Sequence, residues 1–170
     1  GTVTDGGTAR DGGTGRGCAA GSFVSCIDFE QPSSVAGFGD ATWARVNDVV
    51  ARGRTALRVD RDAGVPGYAG RWVELGFAPS LRFHFRMRNI SAPFTVADVN
   101  HTTSGAGLFV FAAPDAGFRF TNRVSRATEF VPVQLAAERW YCLELRFTGQ
   151  PVTTEVFLDG QLRQTLGQLG

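Results

Sequence analysis

Two aromatic residues in one short segment have the spacing of a carbohydrate-binding surface. Tyr68 and Trp72 are four positions apart, so in a strand they share one face with Glu74. The apolar face of a sugar ring stacks on such side chains, while a neighbouring carboxylate fixes its hydroxyl groups. The sequence therefore predicts a glycan platform at Tyr68 and Trp72, and core packing is the competing interpretation for each residue taken singly.

A second candidate site is the polar pair Asn100 and His101, which lies at the end of a predicted strand. With Asp98 beside them, these side chains can bind a sugar hydroxyl or a cation. Ca²⁺ takes about six to eight oxygen ligands, and no segment has that density. We therefore predict a ligand site at Asn100 and His101 and no cofactor, with calcium as the alternative and the metal content unknown. A polar strand end that caps a turn is the competing interpretation.

The sequence contains no complete set of catalytic residues. Hydrolysis of a glycosidic bond needs two carboxylates flanking that bond, and Asp28 and Glu30 are the nearest approach. An exposed or ion-paired strand face explains these two carboxylates better. An enzyme is therefore the less favoured hypothesis.

Three strands differ in the residues that they place on their two faces. Leu81–Arg88 alternates apolar residues with arginine and histidine. Its basic face is either a groove for an acidic polysaccharide or a surface paired with carboxylates such as Glu74, Glu144 and Glu155, and we favour the second. Phe94–Val99 and Leu108–Ala112 are more apolar throughout, which is typical of central strands.

The remaining elements follow the same period of two. In Trp140–Phe147 the residues Tyr141, Leu143 and Leu145 form one apolar face. Asp159-Gly160 supplies the positive φ of a two-residue hairpin turn. About ten or more short strands with turn residues between them, and no convincing helix, predict an all-β, antiparallel two-sheet β-sandwich.

The cysteines Cys18, Cys26 and Cys142 lack the spacing of a metal site. Alternation places Cys26 and Cys142 on the strand faces that carry charged residues, away from the aliphatic faces. Cysteines without a metal-ligand pattern favour a compartment in which disulfides persist. We therefore expect an extracellular or cell-surface location.

Residues 1–21 form a Gly/Thr/Asp-rich segment with almost nothing to bury. The hexad Asp5-Gly-Gly-Thr-Ala-Arg10 returns as Asp11-Gly-Gly-Thr-Gly-Arg16, and it is too polar to fold alone. The sequence predicts a low-complexity tail over 1–21 and a folded domain over 22–170. The tail is either a flexible tether or a segment that a partner orders.

The charge balance excludes some partners. The chain has 17 basic residues, all of them arginine, and 16 acidic residues, so its formal net charge is +1. No overall field draws such a chain to nucleic acid or to an anionic membrane. No apolar run approaches the roughly 20 residues of a membrane span, so we predict no transmembrane segment. The first residue is Gly1 rather than methionine, which removal of an export leader would leave, as would trimming of a longer chain.

Three short motifs mark the two ends of the predicted domain: Cys26-Ile-Asp-Phe-Glu30, Trp140-Tyr-Cys-Leu-Glu144 and Leu158-Asp-Gly160. They resemble motifs of the concanavalin A-like lectin and glucanase superfamily, in particular its laminin-G-like jelly-roll domains. The resemblance implies that the first strand and the Trp140 strand belong to the same end of the sandwich. It thereby implies a disulfide between Cys26 and Cys142, which leaves Cys18 either for a swapped pairing with Cys26 or for a link between molecules.

That fold hosts lectins, adhesion modules, structural subunits and glycan-cleaving enzymes. Because no catalytic set is complete, the sequence predicts a non-catalytic, exported surface module that binds glycan or extracellular matrix. The alternative is a self-assembling subunit of an extracellular filament or coat, whose tail contacts the next copy. A polysaccharide-degrading enzyme is the second alternative.

Overall fold

Strands form all the regular secondary structure in the described part of the chain. A computed structural model describes residues 36–39, 42–48, 56–60, 67–70, 80–88, 93–100, 106–113, 115–148 and 153–167. The chain divides into two units, Gly1–Ala78 and Pro79–Gly170. The predicted boundary between residues 21 and 22 lies outside the described residues, as do Cys18, Cys26 and the proposed role of the tail in assembly.

The described residues of the first unit form two antiparallel pairs of strands. β1 (Ala36–Gly39) pairs with β4 (Gly67–Gly70), and β2 (Thr42–Val46) pairs with β3 (Ala56–Asp60). In the first pair the Cα atoms of Phe38 and Tyr68 are opposite each other.

The second unit contains two antiparallel sheets of four strands, here called sheet A and sheet B. Sheet A has the order β12-β11-β10-β5, and sheet B has the order β6-β7-β8-β9. The strands of sheet A are β5 (Ser80–Arg86), β10 (Trp140–Thr148), β11 (Thr153–Leu158) and β12 (Gln161–Leu166). Those of sheet B are β6 (Phe94–Asn100), β7 (Gly107–Ala113), β8 (Gly117–Asn122) and β9 (Thr128–Val131).

The core lies between the two sheets, and the predicted alternation of β10 is confirmed. Leu143 and Leu145 are fully buried and Tyr141 is nearly so. The Phe85 ring stacks on Tyr141 at 5.7 Å and meets Phe118 of sheet B edge-on at 5.9 Å, so it joins the two layers. The buried apolar residues are Met87, Leu108, Val110, Ala112, Phe118, Phe120, Val131, Leu135, Tyr141, Leu143, Leu145, Val156, Leu158 and Leu166.

The turn between β11 and β12 also matches its prediction. Asp159 and Gly160 have φ values of 52° and 79°, the left-handed conformation that a tight hairpin requires. Asp159 N donates to the Cys142 carbonyl, and Asp159 Oδ1 accepts from Cys142 N at 2.9 Å. The turn is thereby bound to β10.

The two strands predicted to be central occupy different places. β7 lies inside sheet B, whereas β6 lies at the end of that sheet among the described strands, so these strands do not bear out a central place for Phe94–Val99. Packing against the core nevertheless explains why β6 is apolar, since Phe94, Val96 and Ala97 all contact it. A register shift between Thr95 and Ala97 turns consecutive residues to one side of the strand.

Candidate functional site

The predicted aromatic platform falls largely outside the described residues. The backbone of Tyr68 lies on β4, and Trp72 lies beyond the end of that strand, outside the described part of the chain. The pairing of Cys26 with Cys142 likewise stays a prediction, since Cys142 is the one cysteine that the structure describes. Peptide mapping without reductant tests that pairing.

Asn100 is the last residue of β6 and is half-buried, while His101 lies outside the described residues. Two positions earlier on the same face of β6, the Asp98 carboxylate forms an ion pair with Arg123. Among the described residues no group of three or more His, Cys, Asp or Glu side chains can hold a metal ion. The Asp98 carboxylate is thus engaged by a guanidinium.

The basic face of β5 is paired with carboxylates, as predicted. Arg82 Nη2 donates to Glu144 Oε2 at 2.7 Å, and Arg146 Nε donates to Glu144 Oε1 at 2.6 Å. Burial by itself would raise the pKa of Glu144, but the hydrogen bonds from Arg146 and Arg82 outweigh it and hold the pKa below its usual range. Arg86 and Arg88 both pair with Glu138. These arginines therefore already have anionic partners.

A different arrangement occurs on the outer face of sheet B, the face opposite the core. Alternation along β7, β8 and β9 directs Phe111, Arg119 and Phe130 outward, and the strand register places them side by side in one row. In the adjoining rows Phe109 and Arg123 point the same way. We call these five residues the aromatic–arginine face.

Guanidinium groups lie on aromatic rings across this face. Arg119 Cζ is 4.3 Å from the centroid of the Phe111 ring, and Arg123 Cζ is 4.4 Å from that of Phe109. The Phe109 and Phe111 rings are 6.0 Å apart and tilted by 34°. Phe130 remains 55% exposed although it is a large apolar side chain. The face therefore combines exposed apolar area with fixed positive charge.

Arg119 has the least complete set of partners on this face. Its Nε is buried without a hydrogen-bond partner, whereas Arg123 is ion-paired with Asp98. Arg119 and Phe130 also line a shallow recess of about 140 Å³. Its other lining residues are Pro93, Ala113, Ala116, Gly117 and Phe118.

Sequence reasoning did not find the aromatic–arginine face. The apolar run Leu108–Ala112 predicted a central strand, and without alternation it gave no signal that Phe109 and Phe111 point outward. A usable signal was present in Gly117-Phe-Arg-Phe-Thr121, where Arg119 alternates with two phenylalanines. Phe130 is brought to Arg119 only by the pairing of β8 with β9.

The described residues thus form an all-β protein whose second unit is an antiparallel β-sandwich with an aromatic and cationic outer face. No family model, curated protein or solved structure matches the chain. Within the described ranges no helix has the length and apolar character that a membrane crossing requires.

Proposed function

We propose that this chain is a non-catalytic, exported surface module that binds a glycan or an extracellular matrix polymer. In this proposal the sandwich is of the concanavalin A-like, laminin-G-like type, and the aromatic–arginine face is its binding surface. The observation that carries it is the pair of neighbours Arg119 and Phe130, a cation without a carboxylate partner beside an exposed ring.

The chemistry of a sugar ring fits such a surface. One face of the ring presents C–H groups that pack on an aromatic side chain, and the rim presents hydroxyl groups that accept hydrogen bonds from guanidinium. Phe130 offers the apolar contact, Arg119 offers donors, and Thr121 and Thr128 lie on the same face with their hydroxyls 3.2 Å apart. Asn100 continues this surface at the end of β6.

A shallow, open face also favours binding over catalysis. General acid and base chemistry needs a pair of titratable groups held close to the reacting bond. On the aromatic–arginine face the one carboxylate in hydrogen-bond contact is that of Asp98, which Arg123 already holds in an ion pair. This arrangement supports a surface that holds a polymer without cleaving it.

A glycan array with neutral and acidic polysaccharides tests the proposal. We expect binding that Phe130→Ser weakens about tenfold or more, because the ring contributes a buried apolar contact. Val124→Ser is the matched control, since Val124 is another exposed apolar residue, 60% accessible, in the turn after β8. A blank array contradicts the proposal, and release of reducing ends from any polysaccharide shows an enzyme instead.

A further inference from the structure

Six of the nine arginines among the described residues of the second unit pair with a protein carboxylate, and Arg119 does not. Arg82 and Arg146 share Glu144, Arg86 and Arg88 share Glu138, Arg123 holds Asp98, and Arg139 holds Asp159. Arg119 has no such bond, and its described contact is the face of the Phe111 ring. Arg126 and Arg163 lack a carboxylate too, but both are exposed, whereas Arg119 is half-buried and lies on an aromatic ring.

Arg119 is also held in place without that anion. Its guanidinium lies 4.3 Å from the Phe111 ring centroid, and its Nε is buried. Stacking of this kind fixes the planar group and leaves its terminal N–H groups as the donors for a further partner. A guanidinium that is positioned but not neutralised is suited to a planar anion, because its N–H groups match a carboxylate in a bidentate pair.

The neighbouring Phe130 restricts the kind of anion that fits beside Arg119. Arg119 and Phe130 are opposite each other in the register of β8 and β9, so their side chains leave the sheet as neighbours. A ligand that contacts both needs an apolar surface and an anionic group within a few ångströms of each other. A hexuronate residue has this combination, since its carboxylate is attached directly to the sugar ring.

We propose that the aromatic–arginine face binds acidic polysaccharides that contain hexuronate residues. The uronate carboxylate pairs with Arg119, and the apolar face of the same ring packs on Phe130 beside the recess that Pro93 and Ala113 line. Arg123 stays bound to Asp98 and takes no part in charge recognition. This inference rests on the proposed function and adds the class of polymer and the residue that selects it.

The test compares polygalacturonate with its fully methyl-esterified form, which has the same sugar rings without the charge. We expect wild-type protein to bind the acid and to bind the ester at least about tenfold more weakly. Arg119→Gln should weaken binding of the acid about 10- to 100-fold and binding of the ester by less than about tenfold, because only hydrogen bonds to neutral groups are lost from the ester. Arg163→Gln on β12 is the control, since it removes the same charge from an exposed position of sheet A.

Several results would overturn the inference while leaving glycan binding intact. These are equal affinity for acid and ester, full binding of the acid by Arg119→Gln, and equal loss in Arg163→Gln. Equal binding of polyglutamate, which carries carboxylates without rings, also overturns it. Absence of binding to any glycan removes the proposed function as well, so the two failures are distinguishable.

Phe130→Ser keeps the test decisive if Arg119→Gln does not fold. Because Phe130 is largely exposed, its replacement should leave the thermal unfolding transition in place. We expect this variant to lose affinity for the acid and to keep a residual, salt-sensitive attraction from Arg119. Unchanged affinity for polygalacturonate in Phe130→Ser would contradict the pairing of ring and carboxylate.

Discussion

Replacing Glu144 by glutamine removes the central anion of sheet A and should destabilise the fold. Glu144 is only 7% exposed, and it accepts hydrogen bonds from Arg82 at 2.7 Å and from Arg146 at 2.6 Å. A hydrogen bond to a charged group contributes about 1.5–3 kcal/mol. The two arginine side chains are 48% and 46% exposed, so solvent screens both bonds, and glutamine keeps one acceptor. We therefore expect a loss of about 2 kcal/mol.

The direction of the pKa shift of Glu144 predicts how the loss in unfolding free energy changes with pH. The pKa of Glu144 is lowered in the folded protein, so the stabilisation by Glu144 is complete above its ordinary pKa of 4.5 and is lost as the pH falls through the folded pKa. The difference in unfolding free energy between wild type and Glu144→Gln should therefore be largest near pH 7. It should shrink as the pH falls below 4.5.

Urea unfolding at a series of pH values measures the loss in unfolding free energy and its dependence on pH. In thermal unfolding at neutral pH, the melting temperature should fall by roughly 4–8 °C. Glu155→Gln is the matched control, because Glu155 is opposite Arg146 in the β10–β11 register but is less buried. We expect it to cost less than about 0.5 kcal/mol. A Glu144→Gln variant as stable as wild type, or a difference constant with pH, would refute the reasoning.

Three further predictions test the packing of the second unit by urea unfolding. Tyr141→Phe should cost about 1–2 kcal/mol, because the Tyr141 hydroxyl accepts from Ala136 N at 2.6 Å; an unchanged midpoint would contradict this. Gly117→Ala should cost more than Gly160→Ala, although both have positive φ, because the added Cβ at Gly117 meets backbone atoms and that at Gly160 meets nothing within 4 Å. Leu143→Ala should cost about 2–5 kcal/mol, and a loss below 1 kcal/mol would argue against its full burial.

Local patterns predicted the strand faces well and their charge pairing less completely. Tyr141, Leu143 and Leu145 are buried as their alternation indicated, because a period of two leaves one face of a strand for the core. The same alternation put Glu144 on the outward face, yet it is buried. Arg82, 62 positions away, covers it, and such a partner is defined by sheet register rather than by neighbouring residues.

The candidate site was harder to predict for the same reason. Arg119 and Phe130 are adjacent only through the pairing of β8 with β9. Phe111 belongs to a run without alternation, so its outward direction follows from the pleat of β7 between two paired strands. Asn100 was placed correctly at a strand end, since a polar residue after an apolar run signals where pairing stops.

The position of β5 in sheet A has a consequence for the order of folding. Strands β10, β11 and β12 are consecutive, as are β6 to β9, so each set can form from contacts close in sequence. β5 joins β10 by pairing Arg86 with Trp140, and the whole of sheet B lies in the chain between them. Closing that loop costs entropy before its contacts are gained. We therefore expect the two meanders to form first and the docking of β5 to limit the folding rate.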